Sequence, residues 1–261
     1  MTGLALLLAL ASTPPPPGVP VYAGVATGGG YDSTLARLPG GSSGSGAGSP
    51  LQGSSFATAR LWLGYAAEPL AGGEAALEIG YRGTFHRPAL ADLTEHRPWL
   101  SAGWLHPLGE DLALRFSGFG AWRATGDPAR SGWDAGGNAA LRWRPARWLA
   151  LRISGGFTHR DASDPAYAWD SVRAGAGAEL GLWRGAFAVL SWALDGGRDT
   201  FHEGEVAVSG ERLGHTLSLE LNQDLPAGLF LSAGYAFAAV QGELRRYQAQ
   251  AAFAEVGWRL D

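Results

Sequence analysis

Ten charged residues punctuate otherwise apolar stretches: Arg60, Glu78, Arg82, Arg115, Arg142, Arg152, Arg173, Glu179, Glu220 and Glu255. Six carry guanidinium groups and four carry carboxylates. Gathered on one enclosed face, they would support either of two chemistries. An Arg–Glu network would cross-brace neighbouring segments, because an isolated charge beside a low-dielectric wall is costly. Alternatively, the arginine surplus would give a narrow pore a mild preference for anions. Other chemistry is sparse. His215 is flanked at two-residue spacing by Leu213 and Leu217, while Thr216 and Ser218 fall on the opposite parity. No Ser–His pair therefore shares a strand face there, as a barrel lipase or deacylase would need. His202, Glu203 and Glu205 offer donors for a cation, but loop carboxylates are ordinarily solvated, and no metal site is assigned. No Gly-x-Ser-x-Gly, phosphate loop or dinucleotide fingerprint occurs in a strand–turn–helix setting. The chain reads as a non-enzyme that needs no cofactor. The absence of Cys excludes disulfides and zinc–thiolate sites. A net charge of -4 speaks against nucleic acid as a partner.

The elements that must place these residues are legible from the turns. Short turn sequences recur at Pro69, Pro107, Pro145, Gly185 and Pro226, spaced 38 to 41 residues apart. Pro and Gly mark turns because one fixes φ and the other tolerates positive φ. Between them lie longer polar connections, near Asp32–Gly53, His86–Glu95, Thr125–Ser131, Arg160–Tyr167, Asp195–Glu211 and Gln241–Arg246. Five short turns and six long loops join about twelve strands. The stretch from Gly132 to Arg144 alternates throughout: Trp133, Ala135, Gly137, Ala139, Leu141 and Trp143 share one parity, and Asp134, Asn138, Arg142 and Arg144 the other. Alternation over 11 to 13 residues exceeds an ordinary strand and suits a tilted membrane strand.

A soluble β-sandwich would alternate too, but its apolar parity would be a core of large side chains. Here that parity is Ala, Gly and Leu in mid-strand, with aromatics near the ends. Tyr65, Trp104, Trp143, Trp183 and Trp258 fall near short turns, and Phe85, Trp122, Trp133 and Phe157 near long loops. Two such belts fit the headgroup zones of a bilayer. Trp148 and Trp169 break the pattern, falling on the inward parity. Charged residues are 17% of the chain and mean hydropathy is -0.03, values expected when every second residue faces lipid. Every basic residue is Arg and none is Lys, which reads as a codon habit rather than a functional choice.

Leu4 to Ala11 is an apolar run ending in small-x-small, so residues 1–11 read as a signal peptide, 12–19 as a Pro-rich leader and 20–261 as the barrel. Gly40 to Pro50 is almost entirely Gly, Ser and Ala, a linker composition inside the first long loop.

With these features the chain resembles the Gram-negative outer-membrane β-barrel proteins, over nearly all of its length after residue 20. A local likeness lies in Gly28-Gly29-Gly30-Tyr31-Asp32-Ser33-Thr34-Leu35, which is similar to a Gly-Gly-Tyr-Asp-Ser-Asn signature closing the first strand of some barrels; Thr34 stands in place of Asn. The end, Val256-Gly257-Trp258-Arg259-Leu260-Asp261, departs from the usual terminal aromatic. The resemblance implies a cell outer-membrane location, with both termini in the periplasm. It implies outer-membrane lipid and lipopolysaccharide as surroundings, and contact with the barrel-insertion machinery. It also implies an export or tetratricopeptide-repeat partner. The expected fold is all-β, a transmembrane antiparallel up-and-down barrel of about twelve strands. The expected role is a passive, porin-like channel or export-associated barrel for small or anionic solutes. The alternatives are a closed, non-conducting barrel with a structural or surface-interaction role, and, further off, a lipid-modifying enzyme.

Overall fold

A computed structural model describes residues 21–33, 53–70, 72–203, 206–242 and 246–260. The signal and leader segments, most of the first loop and Thr34-Leu35 lie outside them. Twelve strands follow one another: β1 (Val21–Asp32), β2 (Ser54–Leu70), β3 (Gly73–His86), β4 (Glu95–Pro107), β5 (Leu112–Thr125), β6 (Gly132–Ala146), β7 (Leu149–Arg160), β8 (Trp169–Trp183), β9 (Ala186–Glu203), β10 (Val206–Asp224), β11 (Leu229–Gly242) and β12 (Arg246–Leu260). Each pairs antiparallel with its neighbours in sequence, and β12 returns to β1, closing the barrel. Closure leaves no strand edge without hydrogen-bond partners, the condition for a sheet to cross hydrocarbon.

The short turns gather at one end. Left-handed backbone there falls on Gly72, Gly185, Ala227 and Gly228, where φ is +60 to +76°. The longer connections gather at the other end, with one correction. The expected loop Asp195–Glu211 is mostly strand: pairing between β9 and β10 continues out to Glu203 opposite Val206. Beyond the bilayer both sheet faces meet water, so the polar stretch Gly196–Asp199 carries no alternation to mark it as strand.

Exposed Leu61, Leu63, Ile79, Leu217, Leu219 and Val256 belong to an apolar outer surface that runs around the barrel. This is the lipid-facing surface of a transmembrane barrel. It is uneven: outward Ala102, Gly118, Gly137, Ala139 and Gly155, framed by Trp104, Phe116 and Phe157, leave a hollow of about 560 Å³ on β4–β7.

Inside, the β1 wall is nearly bare: Gly24, Ala26, Gly28 and Gly30 follow Tyr22 on the inward parity. Gly28 is packed against the β12 backbone, where a Cβ would meet the Ala254 carbonyl and come within 2.9 Å of the Glu255 Cα. Backbone cannot yield as a side-chain tip can. Gly28→Val should therefore destabilise the barrel by about 1–3 kcal/mol. A lowered urea midpoint of the detergent-folded protein is the expected result, and an unchanged midpoint contradicts it.

Candidate functional site

Directly paired residues on neighbouring strands project to the same side of a sheet. By this rule all ten charged residues singled out above face the barrel interior. They are joined there by side chains that meet across an intervening strand. Each such contact passes over a small residue. Tyr22 and Glu78 lie on β1 and β3, both opposite Gly64 of β2, and the tyrosine hydroxyl donates to the carboxylate. Arg60 on β2 donates to Glu255 on β12 at 2.7 Å, across Ala26 and Gly28 of β1. Arg142 on β6 donates to Glu179 on β8 at 3.0 Å, beside Ala150 of β7. Backbone pairing ties only adjacent strands, so these clamps tie the next-nearest ones.

The strongest clamp lies near the long-loop end. Asp134 on β6 is 0% exposed. It accepts two bonds from Arg160, from Nε at 3.1 Å and from Nη2 at 3.2 Å. Arg97 of β4 approaches it to 3.0 Å and Arg123 to 3.9 Å. Arg97 reaches across β5, where buried Ala121 stands opposite Asp134. Arg123 also donates to the Asp161 carbonyl at 2.8 Å. A second knot holds Asp195 between Arg212 at 3.2 Å and Arg173 at 3.6 Å. The Trp169 ring links the two, with Arg160 at 5.0 Å and Arg212 at 5.3 Å from its centroid.

Arg97, Arg123, Asp134, Arg160, Asp195 and Arg212 were absent from the sequence-derived interior set. Arg160 and Asp195 stand at the bounds of two expected loops, whereas Asp134 shares the charged parity of its strand with Arg142. Their parity carried the signal. Of the ten expected residues, Arg82 stands opposite Arg97 in the same upper zone, and Glu220 accepts from Ser232 at 3.1 Å. Arg115 and Arg152 make no ion pair among the described residues, and Arg152 is exposed within the interior.

Aromatic rings inside cover glycines of adjacent strands: Trp62 over Gly24, Trp99 over Gly80, Phe230 over Gly257 and Phe253 over Gly234. The interior glycines thus seat rings against the wall. Outside, Tyr65, Trp104, Trp143, Trp183 and Trp258 stand toward the short-turn end, and Phe85, Trp122, Trp133 and Phe157 toward the other. The indole N–H of Trp183 donates to Gln223 at 2.7 Å, and that of Trp258 to the Ala227 carbonyl at 2.9 Å. Trp122 and Trp133 meet edge to face at 5.2 Å. Trp169 lies inside, whereas Trp148 does not. It sits at the tip of the β6–β7 turn, 59% exposed, where strand parity no longer applies. His215 faces outward beside Trp192, with ring centroids 6.2 Å apart. His202, Glu203 and Glu205 lie outside the described side chains. Among the described residues no group of three or more His, Asp or Glu is arranged to hold a metal.

Replacing Asp134 with Asn should remove the carboxylate charge that three buried guanidiniums share, costing about 3–5 kcal/mol. Urea unfolding of the detergent-folded variant measures it, and wild-type stability would show that the clamp is not a brace.

No family model matches the chain, and no curated relative does. Solved structures do. An outer membrane channel from Pseudomonas putida F1 superposes with a TM-score of 0.64 at 13% identity, covering 93% of this chain and 96% of that one. The NanC porin superposes with a TM-score of 0.53 at 10% identity, covering 90% of this chain and 100% of that one. At such identity the likeness is one of fold, and the fold is that of outer-membrane β-barrels.

Proposed function

We propose that the protein is a passive channel of the outer membrane for small solutes, with a preference for anions. One observation carries this reading: the interior is electrically lopsided. Strands β4–β8 carry Arg97, Arg115, Arg123, Arg142, Arg152, Arg160 and Arg173, against Glu95, Asp134 and Glu179. The rest of the wall carries Arg60, Arg82, Arg212 and Arg259 against Glu78, Asp195, Glu220, Asp224 and Glu255, so its charges nearly cancel. Twelve strands about 4.8 Å apart, tilted by about 40°, give a backbone radius of about 12 Å. A polar path with a transverse field orients a charged solute while water replaces little of its hydration. The solved channels with this fold support the reading. Outer-membrane lipid and lipopolysaccharide would surround the apolar exterior.

Reconstitution in a planar bilayer tests the proposal. Discrete single-channel currents are expected, and in a salt gradient the reversal potential should carry the sign of anion preference. A folded sample with no resolvable current would favour a closed barrel held by its clamps. Phospholipid hydrolysis abolished by His215→Ala would favour an enzyme.

Orientation has its own test, because the chain lacks Cys. Short turns of such barrels face the periplasm. In intact cells a membrane-impermeant maleimide should label Ser163→Cys, in the loop before β8, and spare Arg147→Cys, in the β6–β7 turn. The reverse pattern inverts the model.

A further inference from the structure

The clamps share a rule: where long polar side chains meet over a small residue, a carboxylate is one of the partners. Gly64 lies beneath Tyr22 and Glu78, Ala121 beneath Arg97 and Asp134, and Ala150 beside Arg142 and Glu179. Ala140 of β6 breaks the rule. It is buried at 6% exposure, and it stands opposite Arg115 on β5 and Ser154 on β7. One step toward the short turns, Arg142 stands directly opposite Arg152. Arg115 lies within electrostatic range of both, and of Glu78 across β4, which makes no ion pair with it among the described residues and is bonded by Tyr22. Three guanidiniums therefore converge around Ala140, with one carboxylate in salt-bridge contact, Glu179 with Arg142, and a second, Glu78, near Arg115 but shared with Tyr22. Like charges directly opposed across a strand pair repel. One step the other way, Ser117 and Asn138 are paired and add donors on the same face.

We propose that a small soluble oxyanion, a phosphate or carboxylate from solution, binds over Ala140. It accepts from Arg115 and Arg152, with Arg142 held alongside by Glu179, and Ser154 donates its hydroxyl. It occupies the place that a carboxylate fills in the other clamps. The site deepens the anion-channel reading and rests on it for its physiological meaning, though binding itself does not require conduction. Guanidinium suits the task because its fork matches an oxyanion's paired oxygens.

The test is calorimetric titration of the full barrel, folded in uncharged detergent, with inorganic phosphate. Saturable binding is expected for the wild type. Arg115→Gln with Arg152→Gln should weaken it by about tenfold or more, as loss of charge-assisted bonds implies. Because that double variant removes charge from the wall and could fold poorly, a second variant adds the absent group. Ser154→Asp should abolish phosphate binding and raise the urea midpoint, since it places a carboxylate where Asp134 sits relative to Ala121. No saturable binding by the wild type, or undiminished binding by Ser154→Asp, overturns the site. A barrel that binds phosphate but carries no current retains the site and loses the channel. One that conducts without binding phosphate loses only the site.

Discussion

In hydrocarbon every backbone N–H and C=O must find a partner within the protein, and the rest of this structure follows from that demand. A sheet satisfies it only by closing, so β1 must pair on both sides, with β2 and with β12. The seam is where a sheet made of sequential hairpins has no turn to hold it. The inward residues of β1 beyond Tyr22 are small there, and the reason is steric. Gly28 allows the backbones to meet, and the low wall allows Arg60 and Glu255 to join above it. The local Gly-rich sequence is thus explained by closure, independently of any solute.

Closure then determines where charge can go. Alternation sends one side chain in two to lipid, which accepts only apolar groups, so the arginines and acids are concentrated inside. There a small residue on the strand between lets an arginine cross to the strand beyond it. The result is a second layer of connection, made of side chains spanning next-nearest strands. Asp134 shows its cost: a fully buried carboxylate is held by arginines from β4, β5 and β7. Such a knot stiffens the wall and leaves excess positive charge near the mouth. Bracing is what these contacts show, and the anion preference proposed above would rest on the same arginines.

Strand number, turn positions and facing were readable because each rests on a local rule: period-two alternation for facing, Pro and Gly for turns. Arg142 and Glu179 could be assigned to one side from parity alone, but not to each other, since their contact depends on register across β7. Arg97 illustrates a second limit. Its partner lies two strands away, at a distance in sequence that no local pattern encodes. The protruding β9–β10 hairpin was misread for the opposite reason, because outside the bilayer strand residues are released from alternation. Trp148 failed likewise, as a turn residue judged by strand parity.

The hollow on the outer face of β4–β7 has a consequence for the lipids around the barrel. A cylinder of even girth would let its annulus slide past freely. A notch lined by Gly118, Gly137 and Gly155, with Trp104, Phe116 and Phe157 at its borders, gives the outer surface a fixed bearing. Acyl chains entering it approach the axis more closely than anywhere nearby, and the wall between them and the basic interior is a single backbone thick.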